Sequence, residues 1–168
     1  MSETGRGAPA QSATADREIV ISRVVDAPRE LVFEAFTAVR HLSRWWGPQG
    51  FTTSTRRFEF RVGGVWDFEM HGPDGTDYQE WISWTEIVRP ERIAMVHGES
   101  PGDPNAFESV LTFEPDGQST RIEMRTVFPT KELRDEAAEK YHAIEAGQQT
   151  LGKLATYVTE IARLGAER

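Results

Sequence analysis

The stretch from about Lys131 to about Leu164 constrains this chain more than any other. It holds no proline, its only glycines are Gly147 and Gly152, and its apolar residues Tyr141, Ile144, Leu151, Leu154, Val158 and Ile161 recur at steps of three, four or seven. Those steps share one side of a 3.6-residue helix, while Lys131, Glu132, Asp135, Glu145, Lys153 and Glu160 mostly take the others. The spacing predicts one helix roughly 50 Å long at about 1.5 Å per residue. A helix with a single apolar side must lay it on a broad apolar surface. Gln148 interrupts the stripe between Ile144 and Leu151 and is expected to face inward, where an amide needs partners.

The partner surface is legible upstream. Glu18 to Val25 reads as a strand, with Ile19, Ile21 and Val25 on one side. Asp26-Ala27-Pro28 then opens a short helix, with Asp26 at or just before its N-cap and Leu31, Val32, Ala35 and Phe36 as its buried side. Val39 to Trp46 predicts a second short helix, stopped by Gly47-Pro48. Six more strands are expected at 51–60, 65–71, 76–88, 92–97, 106–114 and 120–128, divided by Gly, Pro and Asp turns. Connections this short favour antiparallel neighbours. The order predicts an α+β domain over 16–165: a curved antiparallel sheet of about seven strands, two short helices after the first strand, and a long C-terminal helix across the sheet. Residues 1–15 are small and polar and are expected to form a flexible tail.

Composition narrows the function. Without cysteine there is no disulfide and no thiolate site, which suits a reducing cytoplasm. A net charge of -8 argues against nucleic acid, since phosphate binding needs a basic face. No apolar run approaches the ~18 residues of a membrane span. The histidines His41, His71, His97 and His142 show neither HxxxH nor HxH spacing, so no metal is expected. Serine-nucleophile signatures and phosphate loops are missing too, and no cofactor is expected.

Strand alternation turns Trp66, Phe68 and Met70 toward the helix, joined by Trp84, Phe113, Met124 and Phe128 from other strands. Tyr141 and Leu151 meet them from the helix. Such large flat and flexible groups suit a filled core or the walls of an adaptable apolar pocket. The segment 78–88 is ambiguous: Tyr78, Ile82 and Trp84 share one parity, Trp81 and Ile87 the other, as a bulge would produce. Glu80 faces the interior if it keeps the parity of Tyr78 and Trp84, and could then act as a general acid or base; otherwise it is solvated. Trp45 and Trp46 cannot point the same way, so one is expected to pack inward and one to guard the mouth of a hollow. Binding of a small hydrophobic ligand, with Gln148, Tyr78 and Glu80 as polar fixings, is the leading expectation. A cyclase- or hydrolase-type enzyme using Glu80 or a histidine is the alternative.

The segments EIVISRVVDAPRELVFEAFTAVRHLSRWWGPQGF (18–51), RVGGVWDFEM (61–70), DGTDY (74–78) and EIVRPERI (86–93), with the terminal amphipathic helix, resemble the activator of heat-shock-protein-90 ATPase homologue-like family of the START/Bet v 1-like (SRPBCC) superfamily. The resemblance spans about 17–164. It implies the helix-grip fold and a deep apolar cavity between sheet and long helix, used across the superfamily for lipids, polyketides and hormones. A homodimer is a further expectation, because many such relatives pair. The family name adds a third function, a co-chaperone stimulating the chaperone ATPase, ranked lower because the founding co-chaperone has an extra N-terminal module where this sequence has its polar stretch 1–15. Two departures stand out: the terminal helix often carries Gly-Trp where this chain has Gly147-Gln148, and Glu59 replaces a common Asp before the R-x-G-G turn.

Overall fold

The structure, a computed structural model, describes residues 13–166. Most of the expected tail, residues 1–12, lies outside them; Ala13 and Thr14 form a turn into a short 3-10 helix, Ala15–Arg17. Arg17 and Phe128 are tied by the Phe128 amide donating to the Arg17 carbonyl at 2.9 Å.

Seven strands follow the expected order: β1 (Glu18–Val25), β2 (Thr52–Phe58), β3 (Val65–His71), β4 (Asp77–Val88), β5 (Arg92–Gly98), β6 (Phe107–Asp116) and β7 (Ser119–Val127). They form one antiparallel sheet in the order β1-β7-β6-β5-β4-β3-β2, so the first strand closes onto the last and β1 and β2 are the edges. Between β1 and β2 lie α1 (Arg29–Glu34) and α2 (Val39–Trp45). Asp26 is not the N-cap of α1. The chain turns at 25–27, Pro28 takes the cap position, and the Asp26 carboxylate instead accepts from the Ser119 hydroxyl at 3.1 Å.

The terminal stretch is two helices rather than one: α3 (Lys131–Glu139) and α4 (Ala143–Ala166). Thr130 caps α3, its hydroxyl accepting from the Leu133 amide at 3.0 Å. The joint is His142, which adopts a left-handed φ of 54° and whose carbonyl accepts the first turn of α4. Neither glycine nor proline marks the place, and histidine is among the non-glycine residues that enter this region more readily. The 24 residues of α4 span about 36 Å, shorter than the sequence suggested.

α4 packs chiefly on β1. Its inward stripe is Gly147, Leu151, Leu154 and Val158, the last three buried. Toward the other edge of the sheet the sheet–helix space is solid with rings. Phe33 and Phe36 meet Phe113 edge-on at 5.3 and 5.5 Å, Phe36 meets Trp45 at 4.8 Å, and Trp46 meets Trp66 at 5.1 Å. Trp66 stacks on Phe68 at 3.7 Å. β4 resolves its ambiguity with a bulge: the register against β5 shifts between Trp84 and Glu86, so Ile82 and Trp84 face inward and, past the extra residue, Ile87 pairs with the buried Ile93 on that same face.

Candidate functional site

The rings do not fill the whole space. A cavity of about 260 Å³, partly open to solvent, remains between the β1-β7-β6-β5 half of the sheet, α4 and the end of α2. Its size falls just under the ~300–1,000 Å³ typical of small-molecule sites. Cross-strand register builds the sheet wall in rungs: Met95, Ser109, Thr126 and Ile19 stand side by side on β5, β6, β7 and β1, and Leu111, Met124 and Ile21 form the next rung. Ala143, Ala146, Gly147, Thr150 and Leu151 face them from α4. Trp46, Gly47 and Pro48, following α2, complete the lining.

Of the residues singled out in the sequence, Trp45, Trp46, Met70, Met124, Phe128 and Leu151 line this hollow. Trp45 is buried, its indole N–H donating to the Ala35 carbonyl at 3.1 Å, while Trp46 is half-buried. Trp66, Phe68, Trp84 and Phe113 belong to the solid ring cluster and do not reach the cavity. Tyr78 has the inward parity but lies at the strand's uncovered end, 43% exposed against Phe51. Tyr141, at the joint between α3 and α4, is 62% exposed, with Lys140 over its ring. Gln148 is exposed as well: the helix is rotated so that Gly147, not Gln148, takes the stripe position between Ala143 and Leu151. The expectation that Gln148 faces inward is therefore corrected.

Glu80 has the inward parity and meets the cavity at second hand. Its carboxylate bonds His97 Nε2 at 2.5 Å, and His97 stands on the wall beside Phe107. Sequence reasoning passed over Met95, Phe107 and Ser109, and named His97 only as one of four histidines without placing it on the wall. The signal for Ser109 was present in the parity of Leu111 and Phe113; for His97 it required the register of β4 on β5, which the bulge hides. Register also gathers Glu69, His71 and Asp77 on the outer face, their ligand atoms within 4.8 Å of one another. Both nitrogens of His71 are occupied there, Nδ1 by Asp77 and Nε2 by Ser54, each at 2.7 Å.

Three contacts fasten α2 and the segment after it to α4. Lys153 Nζ donates to the Pro48 carbonyl at 3.2 Å, and the Gln49 amide donates to the Gln149 side chain at 3.0 Å. His41 Nδ1 bonds the Tyr157 hydroxyl at 2.7 Å. Burial depresses the Lys153 pKa. Burial first, then the charge of Arg40, also hold His41 below its ordinary value, against an opposing pull from Glu34. Folded His41 thus takes up a proton less readily than the unfolded chain. Its contribution is intact above the unfolded value of about 6.5 and is lost as pH falls through that value toward the lower folded one. His41→Gln is expected to flatten the fall in melting temperature between about pH 7 and pH 5 relative to the parent. Superimposable pH profiles for the two proteins would remove His41 from this role.

A curved antiparallel sheet gripping a long C-terminal helix places the protein in the helix-grip, START-like class. The profile of the family described as activator of Hsp90 ATPase homolog 1-like protein matches residues 26–159, and the chain belongs to that family. No curated protein matches the chain. Among solved structures, a protein from Nitrosomonas europaea is 20% identical with a TM-score of 0.80, covering 89% of this chain and 98% of its own. One from Arthrobacter aurescens is 24% identical with a TM-score of 0.80, covering 89% and 90%. The AHSA1 protein of Silicibacter pomeroyi is 20% identical with a TM-score of 0.67, covering 90% and 99%. At these identities the likeness concerns the fold. Among the described residues no helix is long and apolar enough to cross a membrane.

Proposed function

We propose that the protein binds a small, mostly apolar molecule in the hollow between its sheet and α4. The observation that carries this is a cavity of about 260 Å³ whose lining holds no Asp, Glu, Lys or Arg and is dominated by aliphatic, aromatic and methionine side chains. Apolar surface left facing a hollow is stabilised when a ligand displaces its water, and methionines let the walls adapt. The volume suits a compact molecule, not a two-chain lipid. Native mass spectrometry of the protein purified from its host should reveal a bound apolar molecule of a few hundred daltons or less. A clean apoprotein that also gives no thermal shift with any compact hydrocarbon or ketone would count decisively against binding.

The contact between Glu80 and His97 favours a second reading, an enzyme of the cyclase or hydrolase kind. A carboxylate that holds one imidazole nitrogen fixes the orientation of the ring, as an acid–base pair requires. In that case His97→Ala abolishes turnover of the native ligand but leaves its binding within a few-fold; equal turnover in the two proteins removes the enzyme reading.

A further inference from the structure

The polar atoms of the cavity are few, and their hydrogen-bond accounts are uneven. Thr150 returns its hydroxyl to the Ala146 carbonyl of its own helix at 2.9 Å and has no proton to offer. Ser109 and Thr126 stand opposite each other on β6 and β7 at 4% and 9% exposure, their hydroxyls 3.1 Å apart. Two hydroxyls bring two protons, and the bond between them uses one. Neither makes a further hydrogen bond with the described residues, so one buried donor on the hollow's wall has no acceptor among them. A donor in that position is costly until something accepts from it.

The charges around the hollow point the same way. No Lys or Arg lines the hollow. Lys153, which donates to the Pro48 carbonyl, is outside the lining. The ionisable group behind the wall is the Glu80 carboxylate, held on His97. His97 pairs with Phe107, one rung from Ser109, so His97 and Ser109 are diagonal neighbours on adjacent strands of the wall. A carboxylate ligand pushed onto this wall would lose its water, find no lysine or arginine to pair with and meet Glu80 beyond the imidazole.

We propose that the cavity selects neutral, compact, apolar molecules bearing a carbonyl or ether oxygen at one edge, with that oxygen accepting the spare proton of the Ser109–Thr126 pair, and that it rejects carboxylates of the same size. This rests on the ligand-binding reading above and narrows it to a ligand class. Three bicyclic compounds of matched shape test it by calorimetric titration: tetralin, 1-tetralone and tetrahydro-2-naphthoate. The ketone should bind about fivefold tighter than the hydrocarbon, the effect of one net hydrogen bond, and the carboxylate more weakly than either. Replacing both hydroxyls, Ser109→Ala with Thr126→Val, removes the partners together and is expected to fold. It should erase the ketone's advantage, read as the ratio of ketone to tetralin affinity within the variant. A ketone no tighter than tetralin, an advantage that survives the double substitution, or a carboxylate that binds as well as the ketone would each overturn the proposal while leaving the cavity a binding site. Failure of all three compounds to bind overturns the binding reading itself. If the double variant does not fold, Thr126→Val alone and the ketone-to-hydrocarbon ratio on the parent protein decide.

Discussion

Trp66→Ala is expected to remove about 3–5 kcal/mol of folding stability, the range for deleting a fully buried large aromatic side chain. Trp66 is 0% exposed and does not border the cavity, so no existing void softens the loss. Its ring stacks on Phe68 at 3.7 Å and meets Trp46 and Phe58 edge-on at 5.1 and 6.0 Å. Its indole N–H donates to the Thr55 hydroxyl at 3.0 Å, tying β3 to β2 through side chains as well as backbone. Alanine leaves a hole among rings already locked in place, and such rings collapse poorly. Urea denaturation should show a lower midpoint with an unchanged slope. Trp84 supplies the control. It is equally buried, but its indole N–H has no partner among the described residues, and its ring lies edge-on to those of Phe58 and Phe60. Trp66→Phe discards a hydrogen bond, whereas Trp84→Phe discards an unmet donor, so the second should cost clearly less than the first. Equal costs would mean that ring volume alone decides both sites.

The strands and their inward faces were legible because alternation and turn chemistry are local properties. Trp66, Phe68 and Ile122 needed no partner to declare their side, and the breaks at Gly72-Pro73-Asp74-Gly75 and Pro90 end strands whatever the tertiary context. The rotation of the last helix was not legible. Tyr141 and Ile144 drew the apparent stripe toward themselves, yet they are 62% and 40% exposed. The true stripe passes through Ala143 and Gly147, residues with almost no apolar weight, and a pattern of large side chains cannot report a face that works by lacking them. That single rotation put Gln148 in solvent and changed the character of the wall from amide to hydroxyl. The joint at His142 was hidden for a related reason, since a left-handed histidine carries no glycine or proline mark.

The site follows from the same division. Residues whose inwardness is a matter of parity, such as Met70, Met124 and Phe128, reach the hollow. Whether an inward residue meets a ring or a void depends on the curvature of the sheet, and so Trp84 and Phe113 ended in solid core. Pairs that exist only through register, Ser109 with Thr126 and Glu80 with His97, carry the chemistry of the wall and have no counterpart in sequence spacing.

Two glycines show how a similar clash leads to opposite results. Gly64→Ala is expected to cost about 3 kcal/mol, the upper part of the overpacking range. A Cβ there would lie 2.3 Å from the Glu59 carbonyl oxygen, a backbone atom that already accepts from the Arg61 amide at 3.1 Å. Gly64 cannot retreat either, because its amide donates to Arg61 O at 2.8 Å and its carbonyl accepts from Trp84 N at 3.1 Å. Fixed walls on both sides leave only distortion of the turn that holds β4 at its bulge. At Gly147 the added Cβ would lie 2.5 Å from Ile21 Cδ1, the free end of a side chain bordering the cavity. That methyl can turn into open space, and alanine in a helix interior gains up to about 1 kcal/mol over glycine. Gly147→Ala should therefore leave stability unchanged or slightly raised while it shrinks the hollow and weakens tetralin binding. Denaturation of both variants, with a tetralin titration of the second, separates the cases. A stable Gly64→Ala would show that the turn has slack, and a Gly147→Ala variant that unfolds easily would show that Ile21 is as tightly held as the backbone of that turn.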